Sequence, residues 1–143
     1  MAKLYLQRDQ EKVDTTDIGP GQVAAFSRAS PAKSTPNEDA SLVIAAGPET
    51  AVLAVADGVG GCRAGHVAAR MAVQSLQESL TRTGPSERTV RAAILDGIEL
   101  ANQRILEQAS GSASTLAVVE IDGRSVRPYH VGDSMILVIG GRG

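Results

Sequence analysis

The 143-residue sequence contains no tryptophan, and its aromatic residues, Phe26, Tyr5 and Tyr129, make up only 2% of the chain. Single-stranded nucleic acids are held on aromatic stacking platforms, so this scarcity argues against such a ligand. Cys62 is the only cysteine, which excludes an intrachain disulfide and a cysteine-based zinc site. No stretch approaches the ~18–20 apolar residues that span a bilayer, and the first dozen residues lack the apolar region of a signal peptide. A cytoplasmic protein without a membrane partner is expected. Charge of one sign is also missing: the formal net charge is -2, with no basic stripe for nucleic acid. What is present is ordinary globular material, 43% hydrophobic and 21% charged, enough for one domain with a core of Val, Ile, Leu and Ala.

Patterning along the chain predicts α+β with antiparallel sheet. Residues 1–20 read as a polar N-terminal segment, with a loop at Asp14–Pro20. A strand is expected over Gln22–Arg28, followed by a polar loop, Ala29–Asn37. The apolar runs Ser41–Ala46 and Ala51–Ala56, joined by Gly47-Pro48-Glu49-Thr50, predict a hairpin of strands buried on both faces. Two helices follow. Ala69, Val73, Leu76 and Leu80 share one face of the first, which spans Gly65–Leu80. Val90, Ile94, Ile98, Ala101 and Ile105 line the second, with Ser86 as its N-cap. Ser114–Ile121 and Ser125–Val131 flank Asp122-Gly123, a two-residue hairpin link. A further strand, Met135–Ile139, is expected next and leaves an open sheet edge.

Three segments carry candidate chemistry. Val55-Ala56-Asp57-Gly58-Val59-Gly60-Gly61 is a buried strand ending in a carboxylate, then glycines, then a helix. The Asp57 carboxylate and the Gly58 carbonyl are hard oxygen ligands suited to Mg²⁺ or Mn²⁺, although glycines after a strand also make ordinary turns. The phosphate-loop pattern GxxxxGK[ST] is absent. Pro36-Asn37-Glu38-Asp39-Ala40 places two acids at a strand entrance, which alone reads as a solvated turn. Antiparallel pairing of the hairpin brings them to the Asp57 end, where converging carboxylates repel unless a cation neutralises them. His130-Val131-Gly132-Asp133-Ser134 interrupts two apolar runs, with His130 read as a hydrogen-bonded core residue and Asp133 needing a partner.

In order, PNEDA, VADGVGG opening a helix, GSASTL entering a strand and HVGDS resemble the metal-dependent type 2C (PPM) Ser/Thr protein phosphatases, over roughly residues 22–140. The resemblance implies a four-layer αββα sandwich of two antiparallel sheets flanked by helix pairs, of which about the first half is here. Residues 1–143 would then be a single incomplete phosphatase domain, with 21–143 its core portion. It further implies a binuclear Mn²⁺ or Mg²⁺ centre. Asp57 would bridge two ions with the Gly58 carbonyl as a further ligand, Glu38 and Asp39 would hold one ion directly or through water, and Asp133 would hold a third, weaker one. Asp57 and Asp39 would thus serve catalysis, which uses an activated water and needs no cysteine nucleophile. Substrates would be phosphoproteins.

The family's pattern is not complete. Two further acidic ligands belong to later motifs of the family, so truncation before the last metal ligands is expected. The arginine that grips phosphate has its nearest counterpart in Lys33, a point charge without bidentate geometry; an exposed loop lysine is the other reading of Lys33. Val59 stands where some members carry a histidine acid, and His66, near the start of the helix, is not a good substitute; Cys62 reads as a small residue at the helix start. A non-catalytic binding module, or half of a split enzyme completed by a C-terminal half or by self-association through the open edge, are the alternatives.

Overall fold

The computed structural model describes residues 1–19, 21–32, 35–59, 64–82, 89–108 and 111–140. Among them the chain order is β1 (Ala2–Leu6), β2 (Asp14–Ile18), β3 (Gly21–Ala25), β4 (Asp39–Ala45), β5 (Thr50–Asp57), α1 (Gly65–Arg82), α2 (Val90–Glu107), β6 (Leu116–Asp122) and β7 (Ser125–Val131). The strands form a five-stranded sheet in the order β1-β4-β5-β6-β7 and a two-stranded sheet, β2-β3. Every pairing is antiparallel. The fold is therefore α+β, in three layers: a helix pair, the large sheet and the small sheet.

Side-chain alternation explains the layers. On β4 and β5, Ala40, Leu42, Ile44, Val52, Ala54 and Ala56 point to the helices and join Leu116 and Val118 of β6 in the main core. The intervening Val43 and Ala51 point the other way, into a smaller cluster with Tyr5 and Ile18, against which Val23 and Ala25 of the small sheet pack. Strands covered on both faces need apolar residues at every position, which is why β4 and β5 read as continuous apolar runs.

Helix α1 lies on β4 and β5, and α2 packs on α1. Ala69, Val73 and Leu76 are fully buried and Leu80 nearly so, the face that the 3.6-residue period marks out. Thr89 caps α2, its hydroxyl accepting the Ala92 N–H at 3.3 Å. Ser86, the expected cap, lies outside the described residues.

Several expectations change. The polar segment 1–20 supplies two strands. β1 pairs with β4 through Leu4↔Leu42, and β2, at the expected loop, pairs with β3. Its buried positions are only Thr16 and Ile18, too few to show as an apolar pattern. The β6–β7 turn is one residue later than Asp122-Gly123, because Asp122 still pairs with Ser125. Gly123 is then the first of two loop residues and has φ +55°, as a type II′ hairpin requires.

Met135–Ile139 forms no strand, and four of its five side chains are exposed, Ile139 at 84%. β-branched composition makes a strand only where a partner's backbone is available. Here Gly132, at φ +92°, turns the chain off the end of β7 instead. His130, expected in the core, is exposed, and its Nε2 meets the Ser134 carbonyl oxygen.

Candidate metal centre

The register of β4 and β5 ends on the pair Asp39↔Asp57. Directly paired residues on antiparallel strands hold their Cβ atoms about 4.5–5.5 Å apart and share one face. Both carboxylates therefore stand at one end of the inner face, the face turned to the small sheet. Glu38, one residue earlier, faces the other way. Its Oε1 lies 3.2 Å from where a Cβ on Gly65 would stand, beside the first turn of α1.

Glycine is needed at Gly58 for space. A Cβ there would run into the Gly65 backbone carbonyl, so the bare backbone lets the start of α1 close against the end of β5. The Gly58 N–H donates to the Glu38 carbonyl at 3.3 Å, which ties the two acid-bearing strand ends together one residue beyond their last pair.

Asn37 is a residue the sequence reading passed over. It is 6% exposed, and its Nδ2 donates to the Arg8 carbonyl at 2.5 Å and to Ser27 Oγ at 2.8 Å. Its Oδ1 accepts the Asp39 N–H at 2.9 Å. An asparagine two residues before a strand's first acid makes this Asx turn readily, and that was the available signal. Asn37 thereby anchors the Glu38-Asp39 entrance to the segments after β1 and β3.

A cavity of about 320 Å³ opens on this inner-face end, with Asp39, Ser41, Val55, Asp57, Ser134 and Met135 among its lining residues. Asp133 is exposed on the turn after β7 and does not line that cavity. Lys33, and with it Gly60, Gly61 and Cys62, lie outside the described residues. His66 is half-buried in the first turn of α1. The structure thus brings Asp39 and Asp57 together, sets Glu38 behind them on the helix side and leaves Asp133 apart. Among the described residues no group of three or more His, Cys, Asp or Glu side chains is placed to hold a metal.

The donor chemistry nevertheless suits a hard divalent cation. Like charges directly opposite across two strands destabilise a sheet, and a cation between them reverses the sign of that interaction. All donors at this end are oxygens, as Mg²⁺ and Mn²⁺ prefer. Mg²⁺ commonly takes only one or two carboxylates and keeps several waters, so two acids are a workable partial ligand set.

Comparison with known proteins agrees with this architecture. The sequence pattern of the family described as Protein phosphatase 2C matches residues 28–143. A Streptococcus pyogenes protein described as protein phosphatase 2C-type is 34% identical over 88 residues, 57% of this chain and 36% of that protein. Two solved structures share the fold. The serine/threonine phosphatase PstP/Ppp of Mycobacterium tuberculosis superposes at a TM-score of 0.52 with 23% identity, covering 92% of this chain and 47% of that one. The S. agalactiae serine/threonine phosphatase does so at 0.57 with 24% identity, covering 93% and 49%. The chain therefore spans about a third of the curated relative and about half of each solved chain.

Proposed function

Since the chain belongs to the protein phosphatase 2C family, we propose that it carries the first part of a metal-dependent centre that hydrolyses phosphoserine and phosphothreonine in proteins. The observation that carries this reading is the cross-strand pair Asp39↔Asp57, both of which line the inner-face cavity. Asp57, the Gly58 carbonyl and Asp39 would hold Mn²⁺ or Mg²⁺, with Glu38 acting from the helix side through a water. Asp133 would serve a more weakly held third ion. When bound, such ions supply positive charge for a phosphoryl transition state and make an attacking water available near neutral pH.

The chain's own residues contribute placement. Asn37 holds the Asp39 backbone, and the close approach of Gly58 to Gly65 sets the helix behind the strand end. Ser41 and Val55 help line the cavity in which a phosphomonoester would sit. Lys33 is assigned to the phosphate. We read the chain as one portion of a single domain, because it spans 47% and 49% of the two solved phosphatase chains. The reading makes the whole protein a cytoplasmic hydrolase of signal transduction, with phosphoproteins rather than nucleic acids as substrates, in keeping with the net charge of -2 on these 143 residues. Among the described residues no helix is long and apolar enough to cross a membrane.

The test is Mn²⁺ titration by calorimetry together with phosphate release from a phosphothreonine peptide, each beside Asp57→Asn. Saturable Mn²⁺ binding that weakens at least tenfold in the variant is expected, with any phosphate release lost alongside it. Mn²⁺ binding that is identical in the two proteins, or phosphate release that persists in excess chelator, would sink the proposal.

A further inference from the structure

The inner-face row that begins with the two acids continues across the sheet. β5 pairs with β6 as far as Val55↔Ala117, and one step further puts Asp57 opposite Thr115. β6 pairs with β7 through Ala117↔His130, and the same step puts Thr115 opposite Gly132. Asp39, Asp57, Thr115 and Gly132 therefore form one cross-strand row along a single end of the sheet.

Within that row Thr115 does something a plain ladder residue does not. Its Oγ1 accepts the Asp57 backbone N–H at 3.0 Å, while its own N–H donates to the Asp57 carbonyl at 2.9 Å. Ser114 Oγ also lies 3.1 Å from that carbonyl, but its single proton is shared with the Thr115 carbonyl at 2.8 Å, so Thr115 supplies the two principal holds on the Asp57 backbone. The same Thr115 hydroxyl shares a 2.6 Å hydrogen bond with Ser134 Oγ, using capacity that one hydroxyl has to spare. Its methyl fills the space that Gly132 leaves, since a Cβ on Gly132 would lie 2.8 Å from Thr115 Cγ2. Thr115 is 9% exposed, so its own side of this linkage is largely buried.

We infer that Thr115 is a positioning residue that couples Asp57 to the Gly132-Asp133-Ser134 turn, so that the acid at the end of β5 and the turn carrying Asp133 are set as one unit. The inference rests on the metal-dependent reading above for its functional consequence, but the coupling itself is a property of the apo chain. Residues that orient ligand-bearing groups typically change metal affinity 10–100-fold when altered.

The experiment compares Thr115→Val, Thr115→Ser and Ser134→Ala in the full chain, by amide hydrogen exchange and backbone NMR relaxation without metal, then by Mn²⁺ calorimetry. Thr115→Val is expected to speed exchange of the Asp57 amide at least tenfold, to raise mobility at Gly132–Ser134 and to weaken Mn²⁺ about tenfold. Thr115→Ser keeps the hydroxyl and should retain the Asp57 protection. Ser134→Ala cuts only the second link, so it should loosen the turn while the Asp57 amide stays protected, a result that does not depend on how well the valine variant folds. Unchanged Asp57 exchange in Thr115→Val, or unchanged turn mobility in Ser134→Ala, would overturn the coupling. Failure of the unaltered chain to bind Mn²⁺ would instead overturn the functional reading, because the exchange and relaxation results stand without metal.

Discussion

Glu120 is a carboxylate only 5% exposed, on the face of β6 otherwise given to the helices. It is tolerated there because Arg127 Nη1 donates to its Oε2 at 2.7 Å and the Tyr129 hydroxyl donates to the same atom at 2.5 Å. A hydrogen bond to a charged group contributes about 1.5–3 kcal/mol. Tyr129→Phe should therefore lower unfolding free energy by about 1–2 kcal/mol in urea titration, with secondary structure unchanged by circular dichroism. Burial, then the Glu120 bond, raises the Tyr129 pKa above its ordinary value; burial and Asp14 do the same for Tyr5. A tyrosine whose folded pKa is raised adds stability below its ordinary pKa near 10, and that contribution disappears as pH climbs through the raised value. Two carboxylates move oppositely. The Tyr5 and Lys3 hydrogen bonds lower Asp14, and Arg104 lowers Glu78. Their contribution is present above the ordinary carboxylate range near 4 and is lost as pH falls through the lowered values. The urea midpoint should accordingly be flat near neutrality, fall in acid and fall again in alkali. Asp14→Asn should soften the acid limb, and an unaltered limb would remove Asp14 from this account.

At the scale of elements, the helix pair depends on a residue without a side chain. A Cβ on Gly97 of α2 would lie 2.9 Å from the Leu76 Cα of α1, and backbone cannot yield as a flexible side chain can. Gly97→Ala gains helix propensity of about 1 kcal/mol but overpacks the interhelical contact at a cost of about 1–3 kcal/mol. The net expectation is a lower Tm by thermal melting; a rise would mean the helices separate freely. The pair is also joined by Arg104, which donates to Glu78 at 2.7 Å and to Ser75 Oγ at 3.1 Å. Gly132→Ala tests the other end of the molecule. It meets both a strained φ of +92° and the Thr115 methyl, so it should disturb the Asp133 turn more than its surface position suggests.

At the scale of the whole molecule, the large sheet is covered unequally. Helices cover one face, but the two-stranded sheet covers only part of the other. Val55 and Val126 on that face are each 48% exposed, and Leu137 beyond it is 73% exposed. Apolar side chains left exposed on a partly covered sheet face favour association. Light scattering should show a mass that rises with protein concentration, and Val126→Lys or Leu137→Lys should shift it toward the monomer. A monodisperse monomer with a cooperative melt would contradict this.

The residues by themselves determined what rests on local periodicity. The 3.6-residue spacing marked the buried face of both helices, and continuous apolar runs marked β4 and β5 as strands covered on two sides. Because antiparallel pairing follows directly from a short hairpin, even the meeting of Asp39 with Asp57 was legible before any coordinates. Other features were decided only by tertiary structure, since they depend on partners far away in sequence. β1 and β2 are strands because β4 and β3 offer them edges, whereas Met135–Ile139, richer in strand-forming residues, is turned off the end of β7 at Gly132 and pairs with no described strand. The buried Glu120 and the doubly bonded Thr115 follow from register across three strands. A hydrogen bond between residues 58 positions apart, such as that from Asp57 to Thr115, leaves no periodic trace in the chain, and only the folded sheet brings its two ends together.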